Sequence, residues 1–146
     1  MYSARASIQI QQKIEVIFSA LTEAKHLCRF FLSESSGDLQ SGSTVQWKFP
    51  EFAEIFPVSG ITITQNESIS FTWDPETTVR ITLQNLKDGS TLVRVEESGW
   101  PTTEASAELA IRNTEEWANF LACLKAYVEY GINLRKGAFD FMATDA

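Results

Sequence analysis

Apolar and polar positions alternate in several segments of the first hundred residues, and a period of two is typical of strands with one buried face. The first segment runs from Ser3 to Ile10. After a helical interval, the alternation returns in five runs. Their aligned residues are Val45, Trp47 and Phe49; Glu54, Phe56 and Val58; Ile69, Phe71 and Trp73; Val79, Ile81 and Leu83; and Val93, Val95 and Glu97. The pattern predicts six or seven antiparallel strands, with a further weak strand near Leu39.

Turn residues separate these runs. Gly60 lies where the apolar parity changes, which predicts a β-bulge or bend of the kind that a curved sheet needs. Asp74-Pro75 opens a turn, and the segment 87–90 (KDGS) supplies the Asp-Gly pair of a hairpin. The segment 99–101 (GWP) ends the sheet.

Two short helices are predicted after the first strand. Val16, Ile17, Ala20 and Leu21 have helical spacing. Thr22 is then a candidate cap for a second helix that extends through Phe31.

A long amphipathic helix is predicted from about Asn113 to Lys136. Asn113 and Glu116 form a pattern similar to a capping box, and Gly137 is a natural residue to follow the helix. Between them, apolar residues recur at steps of three and four, as one buried stripe requires. The stripe consists of Trp117, Phe120, Leu121, Leu124, Tyr127, Val128 and Gly131.

These elements predict an α+β fold in which residues 1–146 form one domain. A curved antiparallel sheet wraps around the long C-terminal helix, with two short helices after strand 1. The sheet and the helix each have an apolar face and must bury it against the other. A twisted sheet around a straight helix leaves space between them, and this space is either filled by side chains or open to a ligand.

Charge and composition exclude several functions. The formal net charge is −7, and the basic residues are scattered, which disfavours binding to nucleic acids and to anionic membranes. We see no signal peptide and no apolar run long enough to insert into a membrane. Cys28 and Cys123 are far apart in the sequence and are expected to be reduced thiols in the cytoplasm.

Four segments together resemble a known superfamily: 69–73 (ISFTW), 92–100 (LVRVEESGW), 113–121 (NTEEWANFL) and 127–137 (YVEYGINLRKG). Their order and spacing are similar to the START-like, or Bet v 1-like (SRPBCC), helix-grip superfamily. Within it, the chain most resembles proteins similar to the C-terminal domain of the activator of Hsp90 ATPase.

The resemblance covers essentially the whole chain and implies the helix-grip fold with a tendency to hold apolar small molecules. It implies catalysis only weakly, because one fold supports many functions. The N-terminal Hsp90-binding domain of the full co-chaperone has no counterpart in these 146 residues. Activation of Hsp90 is therefore not expected.

Glu97 is the most interesting polar residue, because its parity with Val93 and Val95 points it inward. An inward carboxylate is a candidate ligand anchor or general acid, and the alternative is a strand end that reaches water. Glu54 is a weaker candidate of the same kind.

The aromatic residues of the inner faces form either a packed core or the wall of a ligand cavity, and both interpretations stay open for different members. Trp100 lies near a predicted rim and either gates an opening or covers the end of the core. The predicted ligand-binding set is Trp47, Phe49, Phe56, Val58, Phe71, Trp73, Ile81, Val95, Glu97, Trp100, Trp117, Phe120, Leu121 and Leu124.

Other chemistry is disfavoured. His26 is the single histidine, and it is predicted at the surface. One histidine and two distant cysteines are too few ligands for a typical zinc site, so a zinc site is disfavoured. His26 and Cys28 do not face each other on a helix, which argues against a catalytic pair. Neither a serine hydrolase motif nor a phosphate-binding glycine loop is found, so no metal and no cofactor is expected.

Three functions remain. The first is binding of a small apolar or amphipathic ligand, with Glu97 and Tyr127 as polar anchors. The second is an enzyme of the cyclase, dehydratase or hydrolase type that uses Glu97 as acid or base. The third is a protein–protein or chaperone-associated interaction module, monomeric or homodimeric, whose contact patch is Trp100 and the tail from Phe139 to Met142.

Overall fold

A computed structural model describes residues 1–143. Ten main elements follow one another along the chain. They are β1 (Tyr2–Ile10), α1 (Ile14–Thr22), α2 (Ala24–Phe30), β2 (Glu34–Ser35), β3 (Val45–Lys48), β4 (Ile55–Thr64), β5 (Ser68–Asp74), β6 (Thr77–Asn85), β7 (Thr91–Trp100) and α3 (Glu104–Tyr130), and a short 3₁₀ turn occupies Asp140–Ala143.

The seven strands form one antiparallel sheet in the order β1-β7-β6-β5-β4-β3-β2. Ile69 of β5 lies opposite Ile81 of β6, which lies opposite Val95 of β7, and Ala6 of β1 completes this row. Because inward residues share a row across neighbouring strands, the alternation in the sequence becomes one continuous apolar face. The predicted α+β helix-grip fold, with a curved sheet and a long C-terminal helix, is confirmed.

Glycine permits two departures from regular strands. The pairing of β4 with β5 shifts register between Ser59 and Thr62, and Gly60 between them has a φ of 61°, which confirms the predicted bulge. Gly99 has a φ of 127°, and a Cβ there would lie 2.3 Å from the Glu76 carbonyl oxygen. This close approach lets the end of β7 pass directly beside the turn between β5 and β6.

The predicted bounds of the long helix are wrong at both ends. The helix begins after Thr103, whose side chain accepts a hydrogen bond from the Ser106 N–H, so Asn113 and Glu116 lie within the helix and do not cap it. It ends at Gly131, whose φ of 68° is left-handed, and not near Gly137. Residues 131–137 therefore belong to an irregular segment.

Three smaller predictions are also corrected. Thr22 ends α1 and donates its hydroxyl to the Phe18 carbonyl, so it does not cap α2. The second strand is Glu34–Ser35, and Leu39 is buried in irregular structure. Glu54 precedes β4 and is exposed, since the chain enters this strand only at Ile55.

The second half of α3 is fixed against the end of β1. Lys125 donates to the Gln9 carbonyl at 2.9 Å, and the Gln11 N–H donates to Glu129 at 2.9 Å. Leu121 and Leu124 are buried beneath this contact. No helix within residues 1–143 is long and apolar enough to cross a membrane.

Candidate functional site

A cavity of about 470 Å³ lies between the middle of α3 and the side of the sheet formed by β4 and β5. Its walls come from the end of α2, the loop after β3, strands β4, β5 and β7, α3, and the segment that follows α3. The lining side chains are predominantly aromatic: Phe31, Phe49, Phe52, Phe56, Trp73, Trp117, Phe120, Phe139 and Phe141, with Met142. Asp74, Glu97, Arg112, Asn113, Glu115, Glu116, Asn119 and Arg135 supply the polar part.

Glu97 is the most buried charged group of the cavity, with 1% of its surface exposed. One carboxylate oxygen accepts hydrogen bonds from Trp73 Nε1 at 3.0 Å and Thr77 Oγ1 at 2.7 Å. The other accepts from Asn113 Nδ2 and Trp117 Nε1, both at 2.9 Å. Its predicted inward orientation is confirmed, and the alternative in which it reaches water is wrong.

Four donors match the acceptor capacity of an ionised carboxylate, which has about four lone-pair sites. The two indole N–H groups of Trp73 and Trp117 donate and cannot accept, so each of them requires an acceptor oxygen of Glu97. A buried charge without a cationic partner is tolerated only when such hydrogen bonds replace its hydration. The geometry therefore makes Glu97 a bridge that holds β5, β6 and α3 together.

The aromatic wall is built from ring contacts with defined geometry. Trp73 and Trp117 stack at 5.2 Å between centroids with an interplanar angle of 28°. Phe31 meets Phe120 edge-on at 4.6 Å and Phe49 at 5.1 Å. Such offset and edge-to-face pairs are the favoured arrangements of aromatic rings, so the wall is preorganised.

A second buried carboxylate, Glu51, pairs with Arg135, one of the residues that line the cavity. Arg135 Nη2 donates to Glu51 Oε1 at 2.6 Å, with 12% of the arginine side chain and 2% of the glutamate side chain exposed. Unlike Glu97, Glu51 is neutralised by a cation.

The mouth carries both signs of charge. Arg112, Glu115 and Glu116 project from neighbouring positions of α3. Desolvation raises the pKa of Glu116, the Arg112 charge opposes this shift, and the Glu97 carboxylate adds to it. Glu116 is nevertheless exposed to solvent over part of its surface.

The structure divides the predicted ligand-binding set into two groups. Six members line the cavity: Phe49, Phe56, Trp73, Glu97, Trp117 and Phe120. The other eight lie outside the cavity lining, in the buried core: Trp47, Val58, Phe71, Ile81, Val95, Trp100, Leu121 and Leu124. Part of the aromatic set therefore packs as core and part lines a cavity, and a ligand in this cavity stays a prediction.

Several lining residues were missed by sequence reasoning. Phe31 was assigned to a helix end, Asn113 to a cap, and Arg135 to the helix C-terminus. Phe52 lies in a loop without periodicity, next to Glu51, the partner of Arg135, so no pattern identified either residue. Two phenylalanines, Phe49 and Phe52, flank the acidic Glu51 in this loop, and this arrangement is the one signal that the sequence offered.

The tail packs against its own cavity. Phe139, Phe141 and Met142 line it, while Trp100 is buried at the end of β7 opposite Tyr2. The patch predicted from Trp100 and the tail is thus split between the core and the cavity.

His26 is half-buried, and its predicted position at the surface is therefore wrong. Its Nδ1 lies 2.6 Å from the Tyr127 hydroxyl. Tyr127 therefore faces α2 and does not line the cavity that contains Glu97.

Cys28 and Cys123 are free, and burial raises the pKa of the Cys123 thiol. The described residues contain no group of three or more His, Cys, Asp or Glu side chains suited to a metal ion.

Known structures share this architecture. The protein SSP2350 from Staphylococcus saprophyticus superimposes with a TM-score of 0.81 at 24% identity, over 92% of this chain and 96% of that one. DynU16, a putative protein in the dynemicin biosynthetic locus, has a TM-score of 0.79 at 18% identity, over 90% of this chain and 48% of that one. The Aha1 dimer from Colwellia psychrerythraea has a TM-score of 0.75 at 24% identity, over 90% of this chain and 98% of that one. At these identities the likeness concerns the fold.

Comparison with curated proteins gave no significant match. The sequence itself matches the family described as activator of Hsp90 ATPase homolog 1-like protein, over residues 11–129. This match spans most of the sheet, the cavity and α3. The chain therefore belongs to the family of activator of Hsp90 ATPase homolog 1-like proteins.

Proposed function

We propose that this protein binds a small apolar or amphipathic molecule in the cavity between the sheet and α3. The observation that carries the proposal is the aromatic cavity of about 470 Å³, a volume within the range of roughly 300–1,000 Å³ typical of ligand sites. Folds of this kind commonly hold ligands between sheet and helix, which supports the same function.

The buried charges of the cavity indicate the character of its ligand. Glu97 already accepts four hydrogen bonds, and Arg135 already pairs with Glu51. A ligand group placed between them finds both oxygens of Glu97 occupied, whereas Arg135 Nε is buried without a hydrogen-bond partner, so the interior favours an apolar body that carries at most one acceptor group. The stacked pair of Trp73 and Trp117 favours a flat one.

Glu97 is a less suitable general acid or base than the sequence suggested. Proton transfer requires a free lone pair or a transferable proton within reach of the substrate. In this structure the lone pairs of Glu97 face Trp73, Thr77, Asn113 and Trp117. We therefore assign Glu97 to shaping the cavity, and we propose binding without an assigned reaction.

A homodimer is the oligomeric hypothesis to test beside ligand binding. The similar fold from Colwellia psychrerythraea is described as a dimer. Light scattering coupled to size exclusion distinguishes a dimer from a monomer directly.

The binding proposal is tested by thermal shift against a panel of lipids, aromatic compounds and terpenoids. A ligand at about one hundred times its Kd stabilises the protein by about 2.7 kcal/mol, which raises Tm by several degrees. The variant Asn119→Trp places a large ring into the cavity and is expected to abolish the shift.

Ala118→Trp is the matched control, because residue 118 is the exposed neighbour on α3 and does not line the cavity. It should keep the shift. The proposal fails if no compound raises Tm, or if Ala118→Trp and Asn119→Trp lose the shift equally.

A further inference from the structure

The segment after α3 crosses one side of the cavity. We call residues 131–143 the C-terminal lid. Phe139, Phe141 and Met142 of the lid contribute side chains to the cavity wall. The lid therefore separates part of the proposed ligand site from solvent.

The backbone of the lid is folded mainly by local hydrogen bonds. The Ala138 N–H donates to the Arg135 carbonyl at 2.9 Å, and the Met142 N–H donates to the Phe139 carbonyl at 3.0 Å. At its base, the Gly131 N–H donates to the Tyr127 carbonyl, and the left-handed φ of 68° at Gly131 turns the chain away from the helix axis. Gly131 is therefore the point at which the lid departs from α3.

One ion pair joins the lid to the opposite wall. Arg135 reaches Glu51 in the loop between β3 and β4, 84 positions away in the sequence, at 2.6 Å. The arginine side chain is 12% exposed and the glutamate side chain 2%. We call this pair the latch.

The latch shares its surroundings with the proposed ligand. The Arg135 guanidinium carbon lies 5.7 Å from the ring centre of Phe31, 5.5 Å from that of Phe49 and 4.9 Å from that of Phe139. All three rings also line the cavity. A cation held between rings and one carboxylate is strongly localised, so it fixes the lid at the point where the lid meets the ligand site.

We propose that the Arg135–Glu51 latch holds the C-terminal lid closed and thereby controls the entry and exit of ligand. This inference rests on the proposed binding function for its biological meaning. Closure itself is a property of the free protein and is measurable without a ligand.

The variant Arg135→Met removes the charge and keeps a long apolar side chain. Lys136→Met is the matched control, because Lys136 is the exposed cation next in the sequence. The readout is acrylamide quenching of tryptophan fluorescence, since Trp73 and Trp117 lie in the cavity whereas Trp47 and Trp100 do not. We expect stronger quenching and faster proteolytic cleavage within residues 131–143 for Arg135→Met, and unchanged values for Lys136→Met.

A double variant tests whether loss of folding obscures the result. Arg135→Met leaves the Glu51 carboxylate buried and unpaired, which destabilises the fold. Glu51→Met combined with Arg135→Met replaces both partners by apolar groups and removes this cost. The double variant should keep the Tm near that of the original protein and still show increased quenching. Unchanged quenching and cleavage in the folded double variant would overturn the latch.

Ligand kinetics complete the test. With any compound from the panel that binds, stopped-flow fluorescence should show association and dissociation both faster by roughly tenfold in the double variant, the change that corresponds to about 1.4 kcal/mol of barrier. Equal rates in the original protein and the double variant contradict the proposal. Increased quenching without binding of any compound supports the latch and contradicts the binding function, so the two failures are distinguishable.

Discussion

The two parts of α3 that lie before and after Phe120 have different surroundings. The half after Phe120 is packed: Leu121 and Leu124 are buried in the core, and Lys125 bonds to the end of β1. The part from Arg112 to Phe120 lines the cavity and approaches the sheet through Asn113 and Trp117, which donate to Glu97. One apolar stripe thus becomes core at one end of the helix and cavity wall at the other.

The contrast between these two parts of α3 raises the question of how an open space is maintained beside a dense core. Apolar side chains alone collapse to native packing density. We propose that Glu97 prevents this by fixing the two tryptophan rings through hydrogen bonds of 2.9 and 3.0 Å. A polar bridge between sheet and helix therefore sets the width of the cavity.

The largest expected effect is a truncation in the packed half. Leu124→Ala removes a fully buried side chain, and we expect a loss of about 3 kcal/mol in the free energy of unfolding. Phe56→Ala, on the half-exposed cavity wall, should cost about 1 kcal/mol because its ring already borders open space. Urea denaturation measures both, and equal losses would contradict the distinction between the packed core under α3 and the cavity wall.

The next effect concerns the bridge itself. Glu97→Gln places an amide NH₂ against groups that can only donate, such as the Trp117 indole. Because buried donors are then left without acceptors, we expect a loss of about 2–3 kcal/mol in the free energy of unfolding. The control is Glu96→Gln, whose carboxylate pairs with Arg5 on the exposed face of the sheet and should change stability by less than about 0.5 kcal/mol. If Glu97→Gln were as mild as its control, the bridge would not hold the walls.

A smaller effect on stability is expected at the N-terminal end of α3. Thr103→Ala removes the side-chain cap of α3, and we expect a loss of about 1 kcal/mol. Thr102→Ala changes an exposed neighbour that provides no such cap and should have almost no effect. Comparable losses from the two alanine variants would argue against a helix that begins after Thr103.

The smallest effect is a pH dependence of the free energy of unfolding, which arises from Glu116 at the mouth of the cavity. The pKa of Glu116 is raised from 4.5 by desolvation, so the folded state holds this proton more tightly than the unfolded state. Its contribution to stability is present below pH 4.5 and is lost as the pH rises through the folded pKa.

Glu116→Gln removes this dependence. The variant should be slightly more stable than the original protein at neutral pH, and the difference should disappear in acid. Thermal unfolding between pH 4 and 8 measures it, with Glu108→Gln, at an exposed position of α3 outside the cavity, as the control. A difference that grows toward low pH would have the wrong sign.

The sequence predicted what depends on local periodicity. The alternation of Val93, Val95 and Glu97 placed the carboxylate inward, and the parity change at Gly60 located the bulge. The partners of Glu97 were not predictable in this way, since Thr77 and Asn113 come from other elements and meet it only in the folded chain.

The ends of α3 show where local periodicity fails to predict the structure. Its first turns, residues 104–111, are rich in alanine and contain few large apolar side chains, so the apolar stripe was recognised only from Trp117 onward and Asn113 was mistaken for the cap. At the other end, Gly131 fits the spacing of the stripe but terminates the helix through its left-handed conformation. The lid beyond it has no periodicity, and its latch to Glu51 depends on tertiary structure alone.

The binding claim is tested most directly by the four indole N–H signals in a ¹⁵N-correlation NMR titration. Trp73 and Trp117 bond to Glu97 inside the cavity, whereas Trp47 and Trp100 lie outside it, and single Trp→Phe variants assign the signals. A compound that raises Tm should shift the signals of Trp73 and Trp117 and leave those of Trp47 and Trp100 in place. Shifts confined to Trp47 and Trp100, or no shift with any compound of the panel, would contradict a ligand site between the sheet and α3.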